Sequence, residues 1–572
     1  MLGGTIMDNS FIYKSDRPWP NDRLKHGAIV GHTTHNEALI WVRTRRPGKY
    51  TFLYYPAQDR YGDDPVFNGF GEVPYTKLDT LPDYVKRVPI DIPDWDKDTT
   101  EVVQLTNLKP FTEYRYALFG KEEDKERILL GKDNPYRFRT LQKKSAPLSF
   151  AFYSCHMPYR TTLFGKTQAV NIDMWQYLKQ VLDRHYDSDL GFVIAGGDQV
   201  YTDGVGTLDI WKYLNNKMCR KDGKLYPETE TMVGWYRDIY RGYWGFTELR
   251  LTLANYPTYM IWDDHDLGDG WGSYYLEPGK KDEIDEIFPS RKAKKLSRKD
   301  CLTLLDRMKQ AASQTYIEYQ HSHNPKNDNE LFDYDIDTSA ASFYVLDGRG
   351  NRDINRQTKK ILGQTQFNRF KKWLNTIVKE KKNQYVFIVS AVPVLHLSPI
   401  TANSDNTLLS DISNLQDDLR DSWEHKIHNA ERRALLKLLF AAAKQGLKIC
   451  ILSGDVHMGA VFKMTDNESS AVIYQLTSSP ITYNKSLWLR AFNALDKTFS
   501  ITVQENGESK DGYKFERLAL YTDSNFSLVK IDPKKEALIY HGYTTKSLEQ
   551  ADNSSYTISF DSSTVRLTLD FK

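Results

Sequence analysis

Five long apolar runs, each ending in polar residues, dominate the hydrophobic pattern of the chain after residue 145. Runs that are apolar at nearly every position suit strands buried on both faces, as in a parallel sheet. The five runs are LSFAFYSCH, ending at His156, LGFVIAGGDQVY, ending at Tyr201, TYMIWDDHD, ending at Asp266, YVFIVSAVPVLH, ending at His396, and KICILSGDVH, ending at His457. They predict buried strands that lead into polar loops.

Stretches with the spacing of amphipathic helices separate these runs. Their apolar faces are formed by Trp175, Leu178, Val181 and Leu182, by Phe367, Phe370, Leu374 and Ile377, and by Leu435, Leu436, Leu438 and Leu439, the last followed by Gly446 as a helix C-cap. Alternating strands and helices predict an α/β domain in which helices cover the faces of the sheet. In such folds ligands bind beyond the carboxyl ends of the strands, which is where the polar residues lie here.

The first 145 residues show short β-rich runs instead, such as Ala38–Arg43 and Thr51–Tyr55. The pattern around Tyr114 resembles that of fibronectin type III and immunoglobulin-like sandwiches, in which a tyrosine at the start of a strand pins a corner by hydrogen bonding. We therefore predict an N-terminal all-β immunoglobulin/fibronectin-like domain over residues 1–145. The α/β domain is predicted over residues 146–572.

Two insertions, near residues 204–255 and 277–329, follow directly after polar loops. The first is rich in aromatic residues, and the second contains an amphipathic helix with Ser297 as its N-cap. Both could wall a ligand cleft, but aromatic stripes at helical spacing more often serve packing, and the two interpretations stay open. The C-terminal segments FSLVKID, ALIYHGY and TVRLTLDF alternate like half-buried strands, so we expect them to complete a second sheet of the α/β domain.

Composition narrows the functional classes. The 572 residues carry a net charge of +2 without a basic stripe, so we expect no nucleic-acid binding. No window reaches about 18 apolar residues, so we expect no transmembrane segment. The four cysteines are far apart and form no disulfide framework. The N-terminus shows no signal peptide, which predicts a cytoplasmic protein, or a periplasmic or secreted one if a signal was removed before this numbering begins.

Asp198 and Tyr201 follow the second apolar run. The two glycines before Asp198 let the backbone bend sharply and bring a carboxylate to the sheet edge, where it can bridge two metal ions. Tyr201 is close enough along the chain to return to the same centre. A phenol ionises at neutral pH only beside strong positive charge, since its ordinary pKa is about 10. On their own, however, Gly-Asp turns are mostly structural.

The other polar loops carry further metal-competent atoms. Asp263, Asp264, His265 and Asp266 place three carboxylates around one histidine, and crowded carboxylates need either a cation or abundant water. Asp455 and His457 lie two residues apart and can share a metal. Cys155 is either a thiolate ligand or a buried, inert thiol, whereas Cys450 lies inside its strand and is expected to be structural. Four such strand ends in one chain are hard to explain by packing alone.

The order SCH, GGDQVY, WDDHD, SGDVH resembles the alkaline phosphatase D (PhoD-like) branch of the calcineurin-like metallophosphoesterases. In that branch a cysteine replaces the usual Asp-x-His pair, and GDxxY replaces GDxxD. The segment FYVLDGRGNRD resembles the family's Asp-x-Arg-x-x-Arg segment, and DSWEHKIHNAERRALL resembles its Asp-x-Trp segment. The resemblance covers most of the chain in order, and it implies a four-layer αββα metallophosphoesterase sandwich.

The resemblance also implies roles for individual residues. Ferric iron (Fe3+) would be surrounded by Cys155, Asp198, Tyr201, Asp455 and His457. Asp198 would bridge to a second site that also uses Asp264 and holds calcium (Ca2+) or another divalent ion. His265 would contact phosphate or protonate the leaving oxygen, and Arg349 or Arg352 would clamp phosphate. Two departures from the family pattern, Asn351 in the arginine segment and Asp269-Gly270 after the DDHD motif, leave the second-site metal open.

These expectations define a phosphoric ester hydrolase. A metal-bound hydroxide would attack a phosphate ester, acting on monoesters, diesters or both, while the metals and an arginine stabilise the charge on the equatorial oxygens. With Cys155 and Tyr201 ionised, the donor set carries a charge of about −5, which one trivalent and one divalent ion would balance. One alternative is a phospholipase or phosphodiesterase specialised for larger substrates. Another is a non-catalytic binding protein with a structural metal site.

Overall fold

The structure of the chain is a computed structural model. It describes residues 19–57, 66, 78, 81–122, 125–131, 135–162, 165–170, 172–277, 281–327, 330–352, 360–380, 383–395, 423–425, 427–483, 506–508, 512–545 and 563–571. His396, at the end of the fourth apolar run, and Asp421, at the start of the Asp-x-Trp segment, lie outside the described residues.

The N-terminal region is entirely β in its described part. Its strands are β1 (Gly27–Thr33), β2 (Ala38–Arg43), β3 (Gly48–Pro56), β4 (Lys86–Ile92), β5 (Thr100–Leu105), β6 (Glu113–Glu122), β7 (Lys125–Leu130) and β8 (Tyr136–Arg139). One antiparallel sheet has the order β1-β2-β5, and the other has the order β4-β3-β6-β7 with β8 paired to β6. The Tyr114 hydroxyl accepts a hydrogen bond of 2.9 Å from the Lys109 amide, which pins the start of β6 to the preceding loop.

The described residues after position 145 form twenty further strands. They are β9 (Leu148–Tyr153), β10 (Tyr159–Thr161), β11 (Thr167–Ala169), β12 (Leu190–Gly196), β13 (Cys219–Lys221), β14 (Lys224–Tyr226), β15 (Thr258–Ile261), β16 (Leu276–Glu277), β17 (Lys281–Asp282), β18 (Tyr334–Asp337), β19 (Ala341–Val345), β20 (Tyr385–Ser390), β21 (Lys448–Ser453), β22 (Gly459–Asp466), β23 (Val472–Thr477), β24 (Asn506–Glu508), β25 (Tyr513–Tyr521), β26 (Asn525–Ile531), β27 (Ala537–Thr544) and β28 (Val565–Asp570).

Two mixed sheets form the centre of this region. The first has the order β15-β12-β9-β26-β27-β28, with β15, β12 and β9 parallel. The second has the order β18-β19-β20-β21-β23-β22-β25-β24, with β19, β20, β21 and β23 parallel. The C-terminal strands β26 to β28 extend the sheet that contains β9, so these alternating segments complete one of the two sheets.

The helices lie between the strands, as the alternating pattern predicts. They are α1 (Asp173–Tyr186), α2 (Ile210–Lys217), α3 (Thr229–Tyr243), α4 (Thr247–Leu253), α5 (Asp264–Leu267), α6 (Ile284–Ile287), α7 (Arg298–Tyr319), α8 (Gly363–Glu380) and α9 (Asn429–Lys444). Helix α7 begins at the predicted cap, where the Ser297 hydroxyl accepts a hydrogen bond from the Asp300 amide. None of the helices that the structure describes is long and apolar enough to cross a membrane.

Apolar contacts hold the layers together. The two sheets pack face to face through Phe150, whose ring lies 4.9 Å from that of Phe387 and 5.1 Å from that of Phe343. Cys450 is buried in the same core, as expected of a structural thiol. Helix α1 covers the first sheet, and α8 and α9 pack against the second. Because each sheet has apolar side chains on both faces, its central strands read as continuous hydrophobic runs.

The N-terminal region packs directly on α3, α4 and α7. The Trp41 indole donates a 2.7 Å hydrogen bond to the Glu318 carbonyl, and the Tyr116 hydroxyl donates one of the same length to the Ala254 carbonyl. Most aromatic residues of the insertion near 204–255, including Tyr240 and Trp244, are buried in the core. Packing is therefore their principal role, although Trp211 and Trp235 remain partly exposed.

Candidate metal centre

Four loops, at the ends of β9, β12, β15 and β21, meet at one rim of the two sheets. The first three strands are neighbours in the first sheet, so their carboxyl ends lie side by side, and β21 brings the fourth loop from the second sheet. Backbone hydrogen bonds tie the loops to each other, from the Cys155 amide to the Gly197 carbonyl and from the His156 amide to the Asp198 carbonyl. Gly454 allows the close approach, because a Cβ atom there would lie 2.3 Å from the Ser154 hydroxyl.

Predicted ligands from three loops lie within contact distance of each other. The Cys155 Sγ is 3.2 Å from Asp198 Oδ2, and the Tyr201 hydroxyl is 3.5 Å from the same oxygen. The Tyr201 hydroxyl is also 3.0 Å from Nε2 of His457, a residue that follows the fourth strand. A thiol, a phenol, a carboxylate and an imidazole from distant parts of the sequence therefore share one small volume.

The carboxylates of Asp198, Asp263, Asp264 and Asp455 converge as well. One oxygen of each lies within 4.8 Å of one oxygen of every other. Asp198 Oδ1 and Asp263 Oδ2 are buried and accept no hydrogen bond from any residue that the structure describes. Buried carboxylate oxygens without donors are costly, so this geometry fits a bound cation. Asp263 belongs to the WDDHD motif, but it is not among the ligands predicted from the sequence.

The backbone at these ligands is unusual. Cys155, Asp198, Asp455 and His457 all adopt left-handed conformations, with φ angles of 56°, 53°, 66° and 53°. Such conformations cost about 1–3 kcal/mol for each residue other than glycine and persist only where the surroundings enforce them. The strain turns four side chains toward the same point, which is a feature of a binding site rather than of a packing motif.

Burial and mutual repulsion set the acidity of the donors. Burial raises the pKa of Cys155 well above its ordinary value, and the Asp198 charge raises it further. Burial also raises the pKa of Tyr201, with the neighbouring Cys155 and Asp198 acting in the same direction. The pKa of Asp198 is raised by burial and by Asp264 and Asp263. Cys155 and Tyr201 therefore need a cation to ionise at neutral pH, a cation would also favour the ionised form of Asp198, and the donor set suits a highly charged metal.

The two histidines of the site differ in charge. Desolvation lowers the pKa of His457 to about 3, so its imidazole is neutral and able to ligate. Burial would also lower the pKa of His265, but Asp203, Asp264 and Asp198 outweigh it and raise that pKa well above 6.5. The His265 Nδ1 lies 2.8 and 2.9 Å from the two Asp203 carboxylate oxygens, and its ring stacks on Tyr201 with centroids 4.0 Å apart.

The two predicted phosphate-clamping arginines are buried beside the site. Arg349 is 0% exposed, and its guanidinium donates to the Asp263 carboxylate and to the Trp271 carbonyl. Its Nη2 lies 3.4 Å from Asp264 Oδ1, and together with His265 it outweighs burial and lowers the pKa of Asp264 to about 2. Arg352 is 2% exposed and packs against Gly272. Arg349 thus serves as a counter-ion inside the site, and contact of either arginine with phosphate stays a prediction.

Residues 150–535 match the sequence pattern of the PhoD-like phosphatases, which is two thirds of the chain and includes all four loops. The chain belongs to the PhoD-like phosphatase family. A solved structure of PhoD has the same fold, with 15% identity and a TM-score of 0.55 over 90% of this chain and 85% of that one. The two mixed sheets and their helices are therefore the α/β fold of a metallophosphoesterase.

The chain is also similar to a yeast protein and to a plant phosphatase of known structure. This PhoD-like chain is 24% identical over 338 residues to the uncharacterized protein YGR266W of Saccharomyces cerevisiae, covering 49% of this chain and 46% of that protein. It thus spans about half the length of that curated relative. The purple acid phosphatase PPD1 from yellow lupin (Lupinus luteus) seeds is a weaker structural match, with 10% identity and a TM-score of 0.47 over 96% of this chain and 75% of that one.

Two residues of the PhoD-like site carry no signal in the motifs. Asp203, which bonds His265, lies two residues after Tyr201 in an ordinary turn sequence. Tyr483 stacks on His457 with ring centroids 3.9 Å apart, although it is 26 residues away in the chain. His156, in contrast, lies in a motif but faces away, since its ring nitrogens contact the Thr482 hydroxyl and the Tyr243 carbonyl.

Proposed function

We propose that this PhoD-like protein hydrolyses phosphate esters with the help of metal ions bound at the four loops. The observation that carries the proposal is that donors from four loops gather around Asp198: Cys155 and Tyr201 contact its carboxylate, His457 contacts Tyr201, and carboxylate oxygens of Asp264 and Asp455 lie within 4.8 Å of it. Buried donors with raised pKa values and unpartnered oxygens favour cations over a purely structural polar cluster.

We further propose Fe3+ for the part of the site that contains Cys155, Tyr201 and His457, and Ca2+ or another divalent ion beside Asp264. A phenolate ligand such as Tyr201 suits a hard trivalent ion, whereas zinc rarely binds tyrosine. When bound, such cations supply positive charge for the phosphate oxygens and a water molecule that ionises near neutral pH. Asp198 lies between the two groups of donors and is positioned to bridge them.

The protein's own side chains would bind the ester and move the proton. His265 is partly exposed, and the raised pKa of its imidazole keeps it protonated, which suits a donor to the leaving oxygen. Asp203 holds that imidazole in place. Asp455 and His457 are also partly exposed, whereas Asp198, Asp263 and Asp264 are buried. A phosphate ester would therefore approach from the side of His265 and His457.

The finer description of the fold is also part of the proposal. Packing of α1 on one sheet and of α8 and α9 on the other supports a four-layer αββα sandwich. The two antiparallel sheets and the Tyr114 hydrogen bond support an immunoglobulin/fibronectin-like N-terminal domain over residues 1–145. The catalytic domain would then span residues 146–572.

Hydrolysis assays combined with metal analysis test the proposed function. The purified protein should contain iron, absorb visible light through its thiolate and phenolate ligands, and release p-nitrophenol from p-nitrophenyl phosphate or bis(p-nitrophenyl) phosphate. The ratio of the two rates separates a monoesterase from a diesterase or phospholipase. Cys155→Ser should lose iron and colour, whereas the matched variant Cys219→Ser, at an exposed thiol, should keep both. A colourless, iron-free protein with full activity would contradict the assignment of Cys155 and Tyr201, and a metal-loaded protein without turnover would favour a binding protein.

A further inference from the structure

Asp266, the last carboxylate of the WDDHD motif, makes contacts unlike those of its neighbours. Among the described residues, the converging donor groups of the site include Asp263 and Asp264 but not Asp266. The Asp266 side chain is 2% exposed. Its role in the proposed reaction therefore differs from that of a ligand.

Hydrogen bonds to Asp266 join two of the ligand-bearing loops. Its Oδ2 accepts a 3.0 Å hydrogen bond from the Asp263 amide, at the start of the loop that holds Asp264. The carboxylate also accepts a hydrogen bond from the amide of Gln199, the residue directly after Asp198. One buried side chain thus fixes the backbone beside two of the proposed metal ligands.

Side chains from two helices also donate hydrogen bonds to Asp266. Gln320, at the end of α7, donates from Nε2 a 2.8 Å hydrogen bond to Asp266 Oδ1, and the Tyr240 hydroxyl of α3 donates a weaker one of 3.4 Å to the same oxygen. Gln320 Nε2 also lies 2.8 Å from the Tyr240 hydroxyl, which closes the network. The four donors come from two loops and two helices, so the carboxylate is fixed between the ligand-bearing loops and the helices α3 and α7.

We propose that Asp266 is a positioning residue that sets the distance between Asp198 and Asp264 without touching metal or substrate. The inference rests on the proposed function, since a distance between ligands matters only where cations bind. A carboxylate can satisfy four donors, whereas an amide has one acceptor oxygen and two N–H groups that face donors. Replacing Asp266 by Asn therefore loosens at least one of the two loops while it preserves the shape of the side chain.

Titration of a divalent cation into the iron-loaded protein tests this proposal. Asp266→Asn should bind Ca2+ or Mn2+ about 10- to 100-fold more weakly than the wild type by isothermal titration calorimetry, the range known for residues that orient metal ligands. Its hydrolysis rate should recover at high cation concentration, because the ligands themselves are intact. Asp333→Asn is the matched control, since Asp333 is a buried carboxylate that bonds Tyr344 and Arg369 away from the four loops.

A purely structural role would give a different result. Asp266→Asn would then lower the melting temperature as Asp333→Asn does and leave the cation titration at the wild-type curve, which overturns the proposal. If Asp266→Asn does not fold, Gln320→Leu removes one donor behind the carboxylate and should weaken cation binding several-fold, and unchanged binding would again overturn it. A wild-type protein that binds cations and hydrolyses esters while Asp266→Asn matches it refutes this inference alone. A wild type that does neither refutes the proposed function.

Discussion

Two buried charged clusters in this protein use carboxylates in opposite ways. At the contact between the N-terminal region and helices α3 and α7, Asp98 is bonded by Arg43 at 3.1 Å, by Arg241 at 3.3 Å and by the Tyr319 hydroxyl. Burial would raise the pKa of Asp98, but the two arginines outweigh burial and lower it to about 2. This carboxylate is fully compensated by the protein itself.

Asp198 shows the opposite balance. It is as buried as Asp98, yet no described residue donates a hydrogen bond to its Oδ1, and its neighbours Asp264 and Asp263 raise its pKa. Arg349 compensates part of the negative charge through Asp263. Burial alone therefore does not distinguish a structural ion-pair cluster such as that of Asp98 from a binding site. The difference lies in whether the protein supplies the countercharge or leaves it to a ligand.

The largest expected effects come from removing one carboxylate from each cluster, since one variant should lose activity and the other should lose stability. Asp198→Ala should reduce phosphoester hydrolysis by at least about 10³-fold, because metal-based charge stabilisation is worth several kcal/mol. It should leave the metal-free protein as stable as before or more stable. Asp98→Ala should lower the free energy of unfolding by about 3–5 kcal/mol, because Arg43 and Arg241 lose their partner. Urea unfolding and initial hydrolysis rates measured on both variants test these expectations. An Asp98→Ala variant that is stable but inactive would contradict the distinction between the two clusters.

The pair of His265 and Asp203 provides the next test, because this ion pair lies at the candidate metal centre and not in the cluster around Asp98. Both side chains are partly exposed, so breaking the pair should cost activity and little stability. We expect His265→Ala to lower kcat about 10²-fold or more with the metal content unchanged. Asp203→Asn should show a smaller loss. A fall in melting temperature without a change in kcat would assign the pair to packing.

Metal removal should act on only one of the two clusters. Exhaustive dialysis against a chelator should abolish hydrolysis and lower the free energy of unfolding, and the cations should restore both. At 100 times the dissociation constant, a ligand that binds only the folded state contributes about 2.7 kcal/mol. Asp98→Ala should show nearly the same metal-dependent increment, because Asp98 bonds none of the proposed metal ligands. Melting curves at several cation concentrations measure the increment, and a flat response would argue against a metal centre.

The smallest expected effect is the pH dependence of the metal-free protein. In the folded protein burial raises the pKa of Asp266 to about 7 and raises the pKa of Asp198 in the same direction, whereas both groups titrate at about pH 4 in the unfolded state. The free energy of unfolding should therefore fall as the pH rises toward 8. Between pH 6.5 and 8 the melting temperature should drop by a few degrees without metal and remain nearly constant with it. Below pH 6.5, buried neutral histidines such as His156 and His323 oppose this trend, because burial lowers the pKa of each to about 3.

Much of the fold follows from the sequence pattern. Strand β2 has the bounds Ala38–Arg43 of its apolar run, and helix α7 begins after Ser297, because alternation and capping are local properties. The motifs also predicted which side chains meet, since three of the four strands end side by side in one sheet. The C-terminal segments were predicted as strands of a second sheet, but the pattern did not indicate that they extend the sheet that contains β9. Alternation indicates a half-buried strand, but it does not say which neighbour that strand pairs with.

The remaining features of the site depend on long-range geometry. Left-handed backbone at Cys155 and Asp455 is enforced by neighbouring loops, and these residue types do not predict it. Tyr483 reaches His457 through the path of the chain after β23. The pairing of Arg349 with Asp263 joins residues 86 positions apart, so its burial was not expected from the family motif. These contacts are settled by tertiary packing rather than by spacing along the sequence.

The contacts of Asp98 with Arg241 of α3 and Tyr319 of α7 have a consequence for the evolution of such proteins. Tyr319, which bonds Asp98, stacks on Tyr240 with ring centroids 4.6 Å apart, so the amino-terminal region supports the helices behind the WDDHD loop. Replacing the amino-terminal region by a foreign domain would leave Arg241 buried without Asp98. Recombination between this region and the rest of the chain should therefore be counter-selected, and the two parts should be inherited together.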